Sequence, residues 1–215
     1  MKTNNHLQVL ICGILFLLIP SLQCNGGNTF TLKGKVEQGV NAEKYLVYVW
    51  DYDKPMQQPE PIDTIDVKDG LFCYSTTLDQ PYSGMLQAIA TDGSKGEFYI
   101  EFLFVPGETC KIDIKGKGFD EFTLSGSKFY KDWESFAQFW QTERQKALSL
   151  NGEGDEAYFS ALSKYNQKHK GEEGCIMYQY MWLASSIFDF SIADGISQGR
   201  FKNYIQHRKS QYGKQ

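Results

Sequence analysis

The chain has 215 residues, a formal net charge of −4 and 15% aromatic residues against 22% charged ones. That mildly acidic balance gives no electrostatic footprint for nucleic acid, and the aromatic content is that of a packed globule rather than a disordered chain. The length suffices for one substantial core, or for a small domain with a helical extension.

Residues 1–23 have the pattern of a secretory signal. Met1 to His6 is polar, with Lys2 and no acid, and Val9 to Pro20 is an unbroken apolar run. Twelve helical residues rise only about 18 Å, well short of the roughly 30 Å core of a bilayer. The run is therefore expected to direct export to the periplasm or cell envelope, not to span a membrane. Cys24 follows where a lipoprotein cysteine would stand, with Asn25-Gly26-Gly27-Asn28 as a tether over 24–28. Gln23 and Ser21 depart from the usual lipobox, so lipidation of Cys24 and simple cleavage both stay open. Membrane contact is expected only through such an anchor.

Residues 29–127 are expected to form an antiparallel β-sandwich or open barrel. Phe30, Leu32 and Val36 alternate with Thr31, Lys33 and Lys35, the mark of a half-buried strand. Tyr45 to Trp50 is apolar on both faces and suits a covered central strand. Asp51 to Pro61, with three prolines, is a loop. Lys68-Asp69-Gly70 and Asp92-Gly93-Ser94 supply turns between pairs of strands, and these two pairs are expected to be hairpins. Thr109 to Ile114 and Glu121 to Leu124 complete the strands.

From 128 to 209 the period changes to that of three to four helices. Phe129, Trp133, Phe136 and Trp140 recur at helical spacing. Asp155 can cap a second helix, a third follows Gly171 and carries Cys175, Tyr178, Met181 and Trp182, and a fourth uses Phe201, Tyr204 and Ile205. The aromatic stripes are expected to be core, and 210–215 a polar tail.

Few residues suggest chemistry. Cys24, Cys73, Cys110 and Cys175 include no C-x-x-C, so neither a redox couple nor a zinc knuckle is written here. Alternation puts Cys73 and Cys110 on opposite faces of their strands, which argues against a bridge between them. His169 and His207 sit among charged residues without metal-ligand spacing and are expected to be solvated. Asp51, Asp53, Asp63, Asp66 and Asp69 match no calcium-loop template. Ser125-Gly126-Ser127-Lys128 contains Ser-x-x-Lys without its partner motifs, and is expected to serve as a turn and helix cap. Tyr48, Trp50 and Tyr52, on or beside one strand, are candidates for stacking on a sugar ring. No metal or other cofactor is expected.

Several stretches of the β half resemble a known module in order: Phe30 to Val36, then Ile62 to Phe72 turning at Asp69-Gly70, then Phe104-Val105-Pro106-Gly107-Glu108, then Leu124 to Ser127. The module is the β-sandwich domain of unknown function at the N-terminus of envelope thioredoxin-like thiol-disulfide oxidoreductases of Gram-negative anaerobes. In those relatives a thioredoxin-like domain with a Trp-Cys-x-x-Cys site follows the helices, whereas this sequence reaches Gln215 without one. The resemblance thus carries no catalytic residue over. It implies a non-catalytic exported or lipid-anchored protein with a binding or docking role, accessory to a separate thioredoxin-like protein. The alternative partner is a glycan.

Overall fold

The computed structural model describes residues 27–50, 60–116, 121–149, 154–183 and 190–212. The proposed leader, Cys24 and Tyr52 lie outside these residues. Strands β1 (Thr29–Val36), β2 (Lys44–Trp50), β3 (Asp63–Asp66), β4 (Leu71–Thr77), β5 (Tyr82–Ile89), β6 (Lys95–Phe104), β7 (Thr109–Ile114) and β8 (Phe122–Gly126) precede the helices. Helices α1 (Lys128–Ser149), α2 (Gly154–Lys168), α3 (Glu173–Trp182) and α4 (Lys202–Tyr212) follow, with a 3₁₀ segment, Phe190–Ile196, before α4. No described helix is long and apolar enough to cross a membrane.

The strands form two four-stranded sheets, ordered β4-β1-β7-β8 and β3-β2-β5-β6. Neither closes on itself, so of the two architectures expected the sandwich is the one found. Its inner faces obey the period of two. Phe30, Leu32, Val36, Cys110, Ile112 and Ile114 from the first sheet meet Tyr45, Val47, Leu86, Phe102 and Phe104 from the second in one core. Phe30 stacks on Phe104 at 4.5 Å, and Tyr45 meets Phe72 at 5.1 Å across the two sheets. Cys73 is exposed while Cys110 is buried and both are free thiols, so the alternation places them as expected.

Two expectations need correction. The sandwich is not wholly antiparallel, because β1 and β7 pair in parallel from Thr31↔Thr109 to Val36↔Ile114. The turn at Asp69-Gly70 is as tight as the sequence implies, with φ of 53° and 72° and reciprocal 2.9 Å bonds between Lys68 and Leu71. The flanking strands nevertheless do not form a hairpin. Beyond that single bridge β3 turns to β2 and β4 to β1. Ile65 and Phe72 both bury in the common core from different sheets, and that burial outweighs continued pairing between neighbours in sequence.

The helices extend the same core. Phe129, Tyr130, Met177, Tyr180, Phe201 and Tyr204 belong to it. The Tyr130 hydroxyl donates to the Leu103 carbonyl at 2.7 Å, and the Tyr204 hydroxyl lies 3.2 Å from Ser83 Oγ. A second cluster of Phe136, Tyr158, Leu162, Cys175 and Leu183 joins α1, α2 and α3. α3 approaches α1 at Gly174, where any Cβ would collide with the Phe129 carbonyl and crowd the Trp133 amide. Ser127 stands where a cap is expected and its carbonyl accepts the Lys131 amide at 3.1 Å. Its hydroxyl, however, is buried and makes no hydrogen bond, so the side chain caps nothing.

Candidate functional site

A cleft of about 340 Å³ opens where the sandwich meets α1 and α3. That volume is at the small end of those that enclose organic ligands. The wall from α1 follows from helical spacing: Trp133, Ala137, Trp140 and Arg144 lie at i, i+4, i+7 and i+11, one stripe of the helix. Ala137 sits between the two indoles, and its small side chain leaves room that a larger residue would fill. Tyr178 and Trp182, one turn apart on α3, form the opposite wall, while Glu101 of β6 and Phe122 of β8 close the sandwich side. Three of the chain's four tryptophans therefore line one cleft.

The walls are held by packing and by polar anchors. Trp133 is buried and meets Tyr178 edge-on at 5.1 Å, and Trp140 meets Tyr158 of α2 in the same way at 5.1 Å. Glu134 accepts the Leu124 amide at 2.9 Å and the Gln138 amide at 3.1 Å, which ties α1 to β8. Both Glu134 oxygens are thus engaged in structure. Gln141, Arg144 and Gln145 are exposed along the rim. Burial raises the Glu101 carboxyl above its ordinary range, and the Arg208 charge only partly opposes the shift. The cleft combines flat apolar faces with one carboxyl of raised pKa, one guanidinium and two carboxamides.

The aromatics singled out on β2 are placed differently. Tyr48 is 4% exposed, and its hydroxyl donates to Gln87 Oε1 at 2.9 Å. It packs with Leu46 and Met85 in a small cluster that Trp50 partly covers. The β2 face is apolar because it is covered, so Tyr48 offers no open ring face; Trp50 is half-buried and Tyr52 is outside the described residues. Asp63, Asp66 and Asp69 are exposed, as a solvated loop and turn require.

His169 also departs from its expectation, because it is not simply a solvated side chain. Its ring stacks on Tyr165 at 4.1 Å, and Nδ1 lies 2.9 Å from Glu172 Oε2. Cys175 Sγ lies 3.4 Å from the same oxygen, 3.2 Å from the Asp132 carbonyl and 3.7 Å from the Tyr165 hydroxyl. Burial pushes the Cys175 thiol up to about 12, with Tyr165 opposing and Glu172 adding to the shift. A thiol so protonated is no nucleophile. Burial also acts to raise Glu172, but the His169 and Cys175 hydrogen bonds and the Lys128 charge outweigh it and lower that carboxyl. The signal was present in the sequence: three ligand-bearing residue types at i, i+3 and i+6 across the break at Gly171.

No curated protein matches the chain. Residues 30–133, which run from β1 into the first turns of α1, match the family model described as a domain of unknown function, DUF4369.

Proposed function

We propose that this is a non-catalytic binding protein of the cell envelope, exported through its leader or anchored at Cys24, whose ligand enters the cleft between sandwich and helices. The observation that carries this reading is the placing of the half-buried Trp140 and Trp182 around one opening, backed by the buried Trp133, with Gln141, Arg144 and Gln145 on its rim. A saccharide suits that lining, because a pyranose presents an apolar face of C–H groups for an indole and a border of hydroxyls for amide and guanidinium donors. Most enzymes that hydrolyse a glycosidic bond use a pair of working carboxyl groups. Glu134 is committed to Leu124 and Gln138, which leaves Glu101 alone in the cleft. Glycan-array screening of the purified protein tests the reading, with a bound class of saccharide as the supporting result.

A second reading, docking on a separately encoded thioredoxin-like oxidoreductase, draws on the resemblance of the β half and on the exposed thiol of Cys73 on β4. Its test is capture of a mixed disulfide with an envelope oxidoreductase, lost in Cys73→Ser.

A further inference from the structure

We propose that His169, Glu172 and Cys175 form a binding site for one Zn²⁺ ion at the junction of α2 and α3. The inference is independent of the cleft.

The junction brings the three ligands together by backbone geometry. The His169 amide bonds the Tyr165 carbonyl, closing the last turn of α2, and the Glu172 amide bonds the His169 carbonyl. Gly171, at φ +85°, turns the chain between them, and Glu172 is the cap residue of α3. Cys175 follows within the first turn of that helix. All three candidate ligand atoms lie within 4.8 Å of one another. A tetrahedral zinc ion, with bonds of about 2.0–2.3 Å, holds its ligand atoms about 3.3–3.8 Å apart. Seating the ion therefore needs shifts of about 1 Å or less, within reach of side-chain rotation.

The surroundings favour such a site. Tyr165 stacks on the imidazole and fixes its plane so that Nδ1 faces Glu172. The Tyr165 hydroxyl, itself 3.1 Å from Ser135 Oγ, approaches the Cys175 sulfur. These are the outer contacts that orient metal ligands in protein sites. The His169 and Glu172 side chains are 20% and 32% exposed, whereas Cys175 is buried. The ion would enter from the nitrogen and oxygen side, bind the sulfur inside, and keep water as its fourth ligand. One thiolate, one imidazole and one carboxylate make a mixed donor set that suits zinc. Lys128 lies 3.9 Å from Glu172 Oε1 but is held by Asp132 at 2.6 Å, so Oε2 is the oxygen left to the metal. On binding, the S–H bond breaks, a Zn–S bond forms, and the proton leaves to solvent.

Titration of the metal-stripped full chain with Co²⁺ tests the site. The expected result is uptake of one ion with a near-ultraviolet thiolate-to-cobalt band, bleached by one equivalent of Zn²⁺ and lost in Cys175→Ser. His169→Ala is expected to weaken Zn²⁺ binding by about tenfold or more, since even outer-contact changes cost 10–100-fold. Absence of stoichiometric uptake by the wild type, or a band that survives in Cys175→Ser, would overturn the proposal. Should Cys175→Ser fail to fold, Glu172→Gln decides instead: its side chain is partly exposed, and undiminished Zn²⁺ affinity there also overturns the site.

Discussion

Arg200 reaches Glu108 with an Nη1–Oε1 distance of 2.6 Å and clasps Glu173 with its Nε and Nη2, so one guanidinium joins the turn after β6 to the start of α3. Its carbon also lies 5.6 Å from the Phe129 ring centroid and 5.2 Å from that of Phe201. The sandwich and the helices are thus pinned at a partly exposed ionic node beside the shared apolar core. Arg200→Ala is expected to destabilise by about 1–2 kcal/mol, the ionic part reduced because a third of the side chain faces solvent. Urea denaturation at low and high salt checks this. The loss should shrink in high salt as screening weakens the wild-type pair.

Gly174 is the point where α3 leans on the α1 backbone. Gly174→Ala places a methyl against the Phe129 carbonyl and must push the helices apart, at a cost of about 1–3 kcal/mol or more. The same displacement separates Trp133 from Tyr178 and so distorts the cleft. Thermal unfolding and tryptophan emission should move together. An unchanged melting temperature would show that the helix contact is looser than described.

Tyr130 is fully buried and its hydroxyl donates to the Leu103 carbonyl. Tyr130→Phe keeps the ring packed against Phe129 and Phe102 and removes the hydroxyl, with its bond to Leu103 and its backbone contact with Val105. A loss of about 1–2 kcal/mol in denaturant titration is expected. A neutral result would mean the carbonyl is satisfied without the phenol.

Glu101 should make stability fall as pH rises. Its folded pKa lies above the ordinary value of 4.5 because burial penalises the carboxylate. Between the unfolded and the folded pKa the native state holds a proton that the unfolded chain has released, so stability present below 4.5 is lost across that window. Glu101→Gln is therefore expected to be more stable than the wild type at neutral pH, with the difference vanishing below pH 4.5. Chemical denaturation at pH 4 and pH 7 checks the sign. Lower stability of the variant at pH 7 would mean that attraction to Arg208 outweighs burial.

The strands were legible because alternation is local: Phe30, Leu32, Ile112 and Ile114 alternate with polar residues and point where that pattern says. The Asp69-Gly70 turn was legible for the same reason. Its role in passing the chain from one sheet to the other was not, because β3 and β4 choose partners far away in sequence. The parallel pairing of β1 with β7 is hidden likewise. In the helices, Phe129, Trp133 and Phe136 are core as their spacing implies, yet Trp140 on the same stripe lines a cleft. Spacing gives the face of a helix and not what covers it. Trp182 joins Trp133 only through the close approach at Gly174, and no local pattern marks that contact.

The most direct test of the cleft is calorimetric titration of the best glycan-array ligand into the wild type, Trp140→Ala and Trp50→Ala. The account predicts that Trp140→Ala loses binding, by about tenfold or more for one stacked ring, while Trp50→Ala binds as the wild type does. Binding retained in Trp140→Ala and lost in Trp50→Ala would move the site to the β2 aromatics and contradict it.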